Sequence, residues 1–187
     1  MSATANVVVS TRNVFQGKLI SVRVEEIRRD DGRMSTRELV DHQPSAVIVP
    51  YLEKSDEIIF IEQYRDAARK VLLELPAGMI PTESTPEETA QRELLEETGY
   101  RASHLRPLGN YYTSPGFTNE MHYCYLATGL VRVSGIQDIN EIGDIKLMSR
   151  VDVLRQLEQG EFTDGKTMLG LFRAARYLPA KRKWGLF

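Results

Sequence analysis

Six glutamates and only one basic residue, Arg92, lie within residues 77–100. Three of these glutamates, Glu93, Glu96 and Glu97, are spaced to share one face of a helix. Each residue of an α-helix is rotated by about 100° about the axis from the one before it, which places the three side chains within an arc of roughly 100°. Carboxylates packed this closely raise one another's pKa unless a cation neutralises them. The alternative is a solvated acidic face, the usual fate of a charge run.

The chemistry that such a face could support is metal-assisted reaction at phosphate. All the ligands on offer are oxygen atoms, which favours a hard cation such as Mg²⁺ or Mn²⁺ over zinc. Mg²⁺ commonly combines a few carboxylates with waters and substrate phosphates. Paired metals can also stabilise the attacking and leaving oxygens of a displacement at phosphorus.

The helix that carries these glutamates is predicted from its end signals. Thr85 suits the N-cap, Pro86 suits the first helical position, and Glu88 completes a capping box with Thr85. Gly99 is placed as the residue just past the C-terminus. The signals predict a helix over residues 86–98, directly after a tight "LPAG" turn.

Strands dominate the rest of the chain. β-branched runs broken at Gln16-Gly17 and Asp31-Gly32 predict an antiparallel region over the first forty-odd residues. Ala90 and Leu94 of the acidic helix are expected to pack against a sheet, and two later segments, "VDVLRQLEQG" and "TMLGLFRAARYL", have helical spacing. Since βαβ alternation is not regular, a mixed sheet with helices packed on it is expected. The remaining strands are predicted in "SAVIVPYLE", "EIIFIEQY", "VLLELPAG", "LRPLGNYYTS", "EMHYCYLATGLV" and "IKLMS".

Composition narrows the class of protein. The 187 residues suggest one domain, and a net charge of −2 gives no support for nucleic acid as the main partner. No apolar run approaches the ~20 residues of a membrane helix, and the N-terminus lacks signal-peptide features, so no membrane partner and a cytoplasmic location are expected. The single cysteine, Cys124, is expected to be a small buried hydrophobe in a strand.

Residues 78–100 resemble the Nudix box, G-x5-E-x7-R-E-U-x-E-E-x-G-U, in which U is a bulky apolar residue. Every fixed position matches except the first glutamate, where this chain has Ser84 and where Glu83 stands one place earlier. The segments "IEQYRDAARKVLLELPAGMI" and "YYTSPGFTNEMHYCYLA" resemble the ADP-ribose pyrophosphatase branch, and Pro115 has that branch's spacing from the box. The resemblance extends over roughly residues 15–178.

The resemblance implies a fold and an assembly. The fold is an α/β protein of the Nudix type, an α/β/α sandwich with a mixed β-sheet, over residues 46–180. An antiparallel β-region over residues 1–45 precedes it, and a basic tail over residues 181–187 follows it. In this branch the N-terminal region exchanges between subunits, so a homodimer is expected.

The resemblance also implies a reaction, the hydrolysis of the diphosphate linkage of a nucleoside diphosphate sugar with Mg²⁺ or Mn²⁺. ADP-ribose, giving AMP and ribose 5-phosphate, is the first expectation. GDP-mannose or another nucleoside diphosphate sugar is the close alternative. A non-catalytic module that binds a nucleotide sugar is an alternative of a different class, because Ser84 departs from the box.

Matched positions assign roles to residues of the box. Glu93, Glu96 and Glu97 would hold the metals, helped by the carbonyl of Ala77. Arg92 would orient these carboxylates from within the helix.

Matched positions outside the box suggest contacts with the substrate. Arg65 and Glu74 would line the site near the phosphates and the terminal sugar, and Arg37 would contact the substrate. For Arg37 and Arg65, a surface salt bridge is the alternative interpretation. A substrate-side loop would consist of Ser114, Pro115, Gly116 and Phe117.

The general base is less well defined. Attack on phosphorus requires a carboxylate within about 3 Å of the water, and in this branch it often comes from an acidic loop well after the box. Here that loop reads "QDINEIGDI", in which Glu141 fits but the position two before it is Ile139. Glu141 is the hypothesis for the base or a further metal ligand, with Asp138, Asp144 and Glu97 as alternatives.

One further motif competes with this interpretation. Residues 160–167, "GEFTDGKT", match the P-loop pattern G-x4-G-K-[ST], which is typical of nucleoside triphosphatases. A P-loop must follow a buried strand, whereas the preceding segment here has helical spacing. Glu161 and Asp164 would also repel phosphate. The segment is therefore predicted to connect two helices, with Asp164 as an N-cap.

Overall fold

The computed structural model describes residues 6–133 and 144–179, which divide into two compact units. The first unit adds residues 111–122 to the N-terminal region that ends at Ser45. The second unit begins at Ala46 and carries the acidic helix. Each unit is built around its own sheet pairing.

The described residues form twelve strands and three α-helices, followed by a short 3₁₀ helix over Ala175–Tyr177. The strands are β1 (Val7–Gln16), β2 (Ile20–Arg28), β3 (Met34–His42), β4 (Ser45–Leu52), β5 (Glu57–Arg65), β6 (Lys70–Glu74), β7 (Ala77–Met79), β8 (Tyr100–Arg101), β9 (His104–Tyr112), β10 (Met121–Thr128), β11 (Val131–Arg132) and β12 (Ile145–Ser149). The helices are α1 (Pro86–Thr98), α2 (Arg150–Glu158) and α3 (Gly165–Ala174).

The first unit contains the three-stranded antiparallel sheet β1-β2-β3. Both predicted turns connect its strands: the amide of Gly17 donates to the carbonyl of Ile20 at 2.9 Å, and Gly32 has a φ of 80°, which glycine adopts readily. The segment 111–122 joins this unit through the amide of Val40, which donates to the carbonyl of Phe117 at 2.8 Å.

The second unit is built on the sheet order β12-β5-β4-β10-β9, with β6 paired to β5 and β7 paired to β4. Helix α1 packs on this sheet through Ala90 and Leu94, both fully buried against Ala46, Ile48 and Tyr125. The predicted packing face of the acidic helix is therefore confirmed. The glutamates of α1 lie outside this apolar face.

A second helical layer covers the opposite face of the sheet. Neighbouring strand residues point to opposite faces, and whereas Ile48 packs with α1, Val49 lies next to Gly170 of α3. Phe60 of β5 stacks on Phe162, which precedes α3, with ring centroids 5.6 Å apart. The sheet is thus sandwiched between α1 on one side and α3 on the other.

The fold bears on two features that were predicted from composition, the burial of Cys124 and the length and polarity of the helices. Cys124 is 1% exposed on β10, as predicted, and burial raises the pKa of its thiol to about 12. Among the described residues, the helices are too short or too polar to cross a membrane.

The close contact between α3 and the sheet generates a stability prediction. A Cβ atom at Gly170 would lie 2.7 Å from Leu75 Cδ1, and Leu75 is fully buried. We expect Gly170→Val to lower the free energy of unfolding by about 1–3 kcal/mol, because the core has no space for the added methyl groups. Urea denaturation followed by circular dichroism measures this change.

Gly165 is the matched control, since it lies in the same helix and a Cβ atom there would meet nothing within 4 Å. Gly165→Ala should leave stability unchanged or raise it by about 0.4–1 kcal/mol. Equal losses in the two variants would contradict the packing argument.

Candidate active site

Helix α1 begins and ends at the predicted residues. The Thr85 hydroxyl accepts from the amide of Glu88 at 3.2 Å, and the Glu88 carboxylate accepts from the amide of Thr85 at 2.8 Å, which completes the capping box. Gly99 ends the helix in the left-handed conformation, with a φ of 73°. These ends fix the register of the helix and therefore the direction of each glutamate.

Glu97 is the most enclosed of the three box glutamates. It is 9% exposed, and its carboxylate accepts a hydrogen bond from the backbone amide of Ala77 at 2.9 Å. Burial raises the pKa of Glu97 to about 8, and the charge of Glu93 adds to that rise. The Ala77 amide and the positive charges of Lys166 and Arg65 act in the opposite direction.

Glu93 lies directly against the backbone of Gly78 in β7. A Cβ atom at Gly78 would overlap the Glu93 carboxylate, so a larger residue there would displace that side chain. The Glu93 side chain is 12% exposed. Ala77 and Gly78 of β7 therefore contact two carboxylates of the helix, Glu97 and Glu93.

Arg92 is paired with the other carboxylates of the box. Its guanidinium donates to Glu93 at 2.5 Å and to Glu96 at 2.7 Å. The side chains of Arg92 and Glu96 are both about 40% exposed. Arg92 thus occupies the space between two carboxylates that were predicted to hold metal.

Glu74, at the end of β6, is fully buried between two cations. Arg65 donates to it through two nitrogens, at 2.8 and 2.6 Å, and the ammonium of Lys166 forms a further ion pair. Burial alone would raise the pKa of Glu74, but the hydrogen bonds from Arg65 and the charge of Lys166 outweigh it and lower the pKa. Of these three residues, the sequence indicated Glu74 and Arg65 but not Lys166.

The segment that resembled a P-loop connects two helices, as predicted. Asp164 is the N-cap of α3, and its carboxylate accepts from the amide of Thr167 at 3.0 Å. Lys166 donates to Asp164 at 3.0 Å in addition to its pair with Glu74. A lysine held by two carboxylates is not presented to a phosphate, so the segment lacks the arrangement of a P-loop.

The remaining predicted substrate residues lie in the first unit. Arg37 on β3 donates to the hydroxyl of Ser35 at 2.8 Å and to the carbonyl of Thr36 at 2.9 Å. Ser114–Phe117 form a tight turn closed by the amide of Phe117, which donates to the carbonyl of Ser114 at 3.1 Å. A cavity of about 240 Å³ adjoins this turn, with Pro115 and Phe117 among its lining residues.

The candidates for the general base are divided between described and undescribed residues. Glu141 and Asp138 lie outside the described residues. Asp144 is exposed next to β12, and its carbonyl accepts from the amide of Glu62 at 3.1 Å. Ser84, which replaces the first glutamate of the box, lies in a turn in which its amide donates to the carbonyl of Pro81 at 3.0 Å.

Comparison with known proteins defines the class of protein. Residues 41–169 match the NUDIX domain family. The chain is 35% identical to "ADP-ribose pyrophosphatase" of Bacillus subtilis (strain 168), with 92% of each chain covered. It is 32% identical to "Methanol dehydrogenase activator" of Bacillus methanolicus, and the matched segment covers 87% of this chain and 89% of the relative.

A solved structure supports the fold alone. It is described as an ADP compounds hydrolase, is 22% identical, and superposes with a TM-score of 0.84 over 95% of this chain and 96% of the other. The chain belongs to the NUDIX domain family. The predictions of the Nudix-type α/β fold and of a Nudix pyrophosphohydrolase are confirmed.

Nudix hydrolases generally depend on a divalent metal. Within residues 6–133 and 144–179, no three acidic, histidine or cysteine side chains lie close enough to form a ready metal centre. Glu93 and Glu96 are instead paired with Arg92, and Glu97 with the Ala77 amide. The donors nevertheless fit a hard dication, because all three side chains offer oxygen and buried Glu97 needs a positive charge to ionise at neutral pH.

The raised pKa of Glu97 predicts how the metal-free protein responds to pH. Its folded-state pKa of about 8 exceeds its usual value of 4.5, so folding favours the protonated form. This contribution to stability is full below about pH 4.5 and is lost as pH rises towards 8. In EDTA, Glu97→Gln should lack that loss. The Tm of the variant minus the Tm of wild type should therefore be larger at about pH 8 than at about pH 5.

Differential scanning calorimetry at the two pH values measures this difference. Glu87→Gln is a suitable control, because Glu87 is exposed in the first turn of the same helix. If the wild-type and Glu97→Gln proteins showed the same pH slope, Glu97 would already be ionised in the folded state.

Proposed function

We propose that this enzyme hydrolyses the diphosphate linkage of ADP-ribose to give AMP and ribose 5-phosphate, with Mg²⁺ or Mn²⁺ as its metal. The observation that carries the proposal is the placement of Glu93 and Glu97 against Ala77 and Gly78 of β7, which concentrates negative charge where a dication can neutralise it. The substrate is inferred from the relative of Bacillus subtilis, which covers 92% of this chain.

Glu93, Glu96 and Glu97 would hold the metal ions, together with the carbonyl of Ala77. Bound metal would neutralise the charge that develops on the phosphate oxygens and lower the pKa of attacking water. Arg92 would hold Glu93 and Glu96 in orientation, as its hydrogen bonds to both carboxylates allow.

The proton of the attacking water would pass to a carboxylate. We assign this role to Glu141, which would otherwise act as a further metal ligand. Its position in the acidic loop after the box matches the base of the branch that this chain resembles. The alternatives are Glu97, Asp138 and Asp144.

Positions matched to the branch that this chain resembles suggest which residues would bind the substrate. Arg65, held by buried Glu74, would present its guanidinium near the phosphates and the terminal sugar. Arg37 and the loop Ser114–Phe117 would contact the remainder of the substrate. Phe117 is 54% exposed, which leaves its ring available for an apolar contact.

A substrate screen with Mg²⁺ tests the proposed function. We expect the highest kcat/KM with ADP-ribose among ADP-ribose, GDP-mannose, NADH, diadenosine polyphosphates and 8-oxo-dGTP. Glu93→Gln should lower kcat by about 100-fold or more, because several kcal/mol of transition-state stabilisation depend on the metal. A higher kcat/KM with GDP-mannose would assign the alternative sugar, and binding without turnover would assign a non-catalytic module.

A comparison of carboxamide variants tests the base. Glu141→Gln should lower kcat by about 100-fold and leave KM nearly unchanged, because a general base contributes about 10²–10⁴-fold. Asp144→Asn tests one of the alternative bases, and we expect its kcat to stay within a few-fold of wild type. A Glu141→Gln rate within a few-fold of wild type, with an inactive Glu97→Gln enzyme, would remove Glu141 from this role.

We also propose that the enzyme forms a homodimer through its N-terminal sheet and acts in the cytoplasm. Strand β1 is exposed along its whole length, although it carries large apolar side chains that are 45–54% exposed. Exposed apolar surface of this kind is typical of an interface. These side chains belong to Val7, Val8, Val9, Val14 and Phe15.

Light scattering after size-exclusion chromatography measures the assembly. Wild type should have twice the mass of one chain, and Phe15→Asp should shift it towards the monomer because a charge would be buried at the interface. Val151→Asp is the control, because Val151 is 61% exposed on α2. A monomeric wild-type protein would contradict the proposal.

A further inference from the structure

Lys166 lies beside the active-site residues but takes no part in the proposed reaction. It is the second residue of α3, and its side chain is 11% exposed. Its ammonium pairs with Glu74 and Asp164, which are both largely buried. A lysine buried to this extent is uncommon unless it is paired, and here both partners lie next to the site.

The neighbouring residue, Thr167, links the same helix to the segment between β6 and β7. Its hydroxyl donates to Asp164 at 2.6 Å and accepts from the backbone amide of Leu75 at 2.8 Å. Thr167 is fully buried. Lys166 and Thr167 therefore hold two consecutive residues of the chain, Glu74 by its side chain and Leu75 by its backbone.

The held segment leads directly to Glu97. Two residues after Leu75, the amide of Ala77 donates to the Glu97 carboxylate at 2.9 Å. The next residue, Gly78, lies against Glu93. A displacement of residues 74–75 would therefore be passed to both carboxylates through a segment of only a few residues.

We propose that Lys166 is a positioning residue of the Nudix site, which fixes residues 74–78 through Glu74 and so sets the orientation of Glu97 and Glu93. The inference goes beyond the proposed function and rests on it for the metal-binding role of Glu93 and Glu97 and for the choice of substrate in the assay. Asp164 and Thr167 complete the arrangement, since Asp164 holds both the ammonium and the hydroxyl. The segment that resembles a P-loop thus acts as a support for residues 74–78.

The positive charge of Lys166 is part of this role. Glu74 is fully buried, and a buried carboxylate that loses a partner is strongly destabilised in its charged form. Arg65 alone would then have to hold Glu74, although Arg65 is also proposed to contact the substrate. Lys166 therefore shares with Arg65 the neutralisation of the Glu74 charge, so that Arg65 can keep its orientation.

Three variants separate the charge, the hydrogen bond and the backbone link. Lys166→Gln keeps a donor but removes the charge, Lys166→Arg keeps the charge, and Thr167→Val removes the acceptor of the Leu75 amide. Lys70→Gln is the matched control, because Lys70 is exposed on β6, the strand that ends at Glu74.

Titration calorimetry with MnCl₂ alone is the primary measurement, since it requires no substrate. We expect Lys166→Gln and Thr167→Val to bind manganese about 10–100-fold more weakly, as for other residues that orient metal ligands. With ADP-ribose, kcat should fall by a similar factor, whereas KM should change by less than about threefold. Lys166→Arg should recover most of both losses, and Lys70→Gln should match wild type.

The outcomes distinguish this inference from a general loss of stability and from a wrong substrate. Manganese affinity of Lys166→Gln equal to that of wild type would overturn it, and so would a loss that Lys166→Arg does not reduce. Each protein is measured at a temperature at which circular dichroism shows it folded, so unfolding does not contribute. If wild type hydrolysed no ADP-ribose, the proposed function would fail, but the manganese affinities would still test Lys166.

Discussion

The balance of charge around one buried carboxylate, Glu97, constrains the rest of the second unit. A carboxylate that is 9% exposed and next to a second carboxylate is unfavourable in its charged form unless positive groups surround it. The protein supplies one backbone amide, from Ala77, and two more distant cations, Arg65 and Lys166. These groups reduce the cost of ionisation without removing it, which is the condition under which a dication binds favourably.

The elements that meet at this point come from separate parts of the sequence. Helix α1 presents the carboxylates, β7 presents the amide of Ala77, and the start of α3 holds the segment between β6 and β7. The sheet supports this arrangement because α1 packs on one face through Leu94 and α3 packs on the other next to Leu75. Core packing and site geometry are therefore coupled: a change at Gly170 displaces Leu75, which adjoins Glu74.

Local signals were sufficient to predict most of the strands and helices. The capping box at Thr85 and the left-handed glycine at Gly99 determine both ends of α1, because each satisfies backbone groups within a few residues. The same holds for the turns at Gly17 and Gly32 and for the N-cap at Asp164. The two-residue strands β8 and β11 were not predicted, since two residues carry no periodicity.

Contacts between distant segments were not predictable in this way. Lys166 is 92 residues from Glu74, and nothing in the letters "GKT" indicates a buried carboxylate as its partner. The exposure of each glutamate was equally hidden, since Glu96 and Glu97 are adjacent in sequence but the side chain of one is 43% exposed and the other residue is 9% exposed. The spacing of residues on a helix predicts which side chains share a face. The burial of each side chain depends on which other segments of the chain pack against that face.

The departure at Ser84 gives Arg92 a particular importance. Ser84 supplies no carboxylate at the first acidic position of the box, and the guanidinium of Arg92 is bound to Glu93 and Glu96. Both of these residues are proposed metal ligands, and because a carboxylate has two oxygens, an ion pair to Arg92 through one oxygen is compatible with metal binding through the other. The pair with Glu96 is the weaker constraint: both side chains are about 40% exposed, and exposed pairs contribute about 0–1 kcal/mol. Arg92 therefore neutralises the acidic face at little energetic cost to metal binding, which reconciles three clustered glutamates with a stable helix.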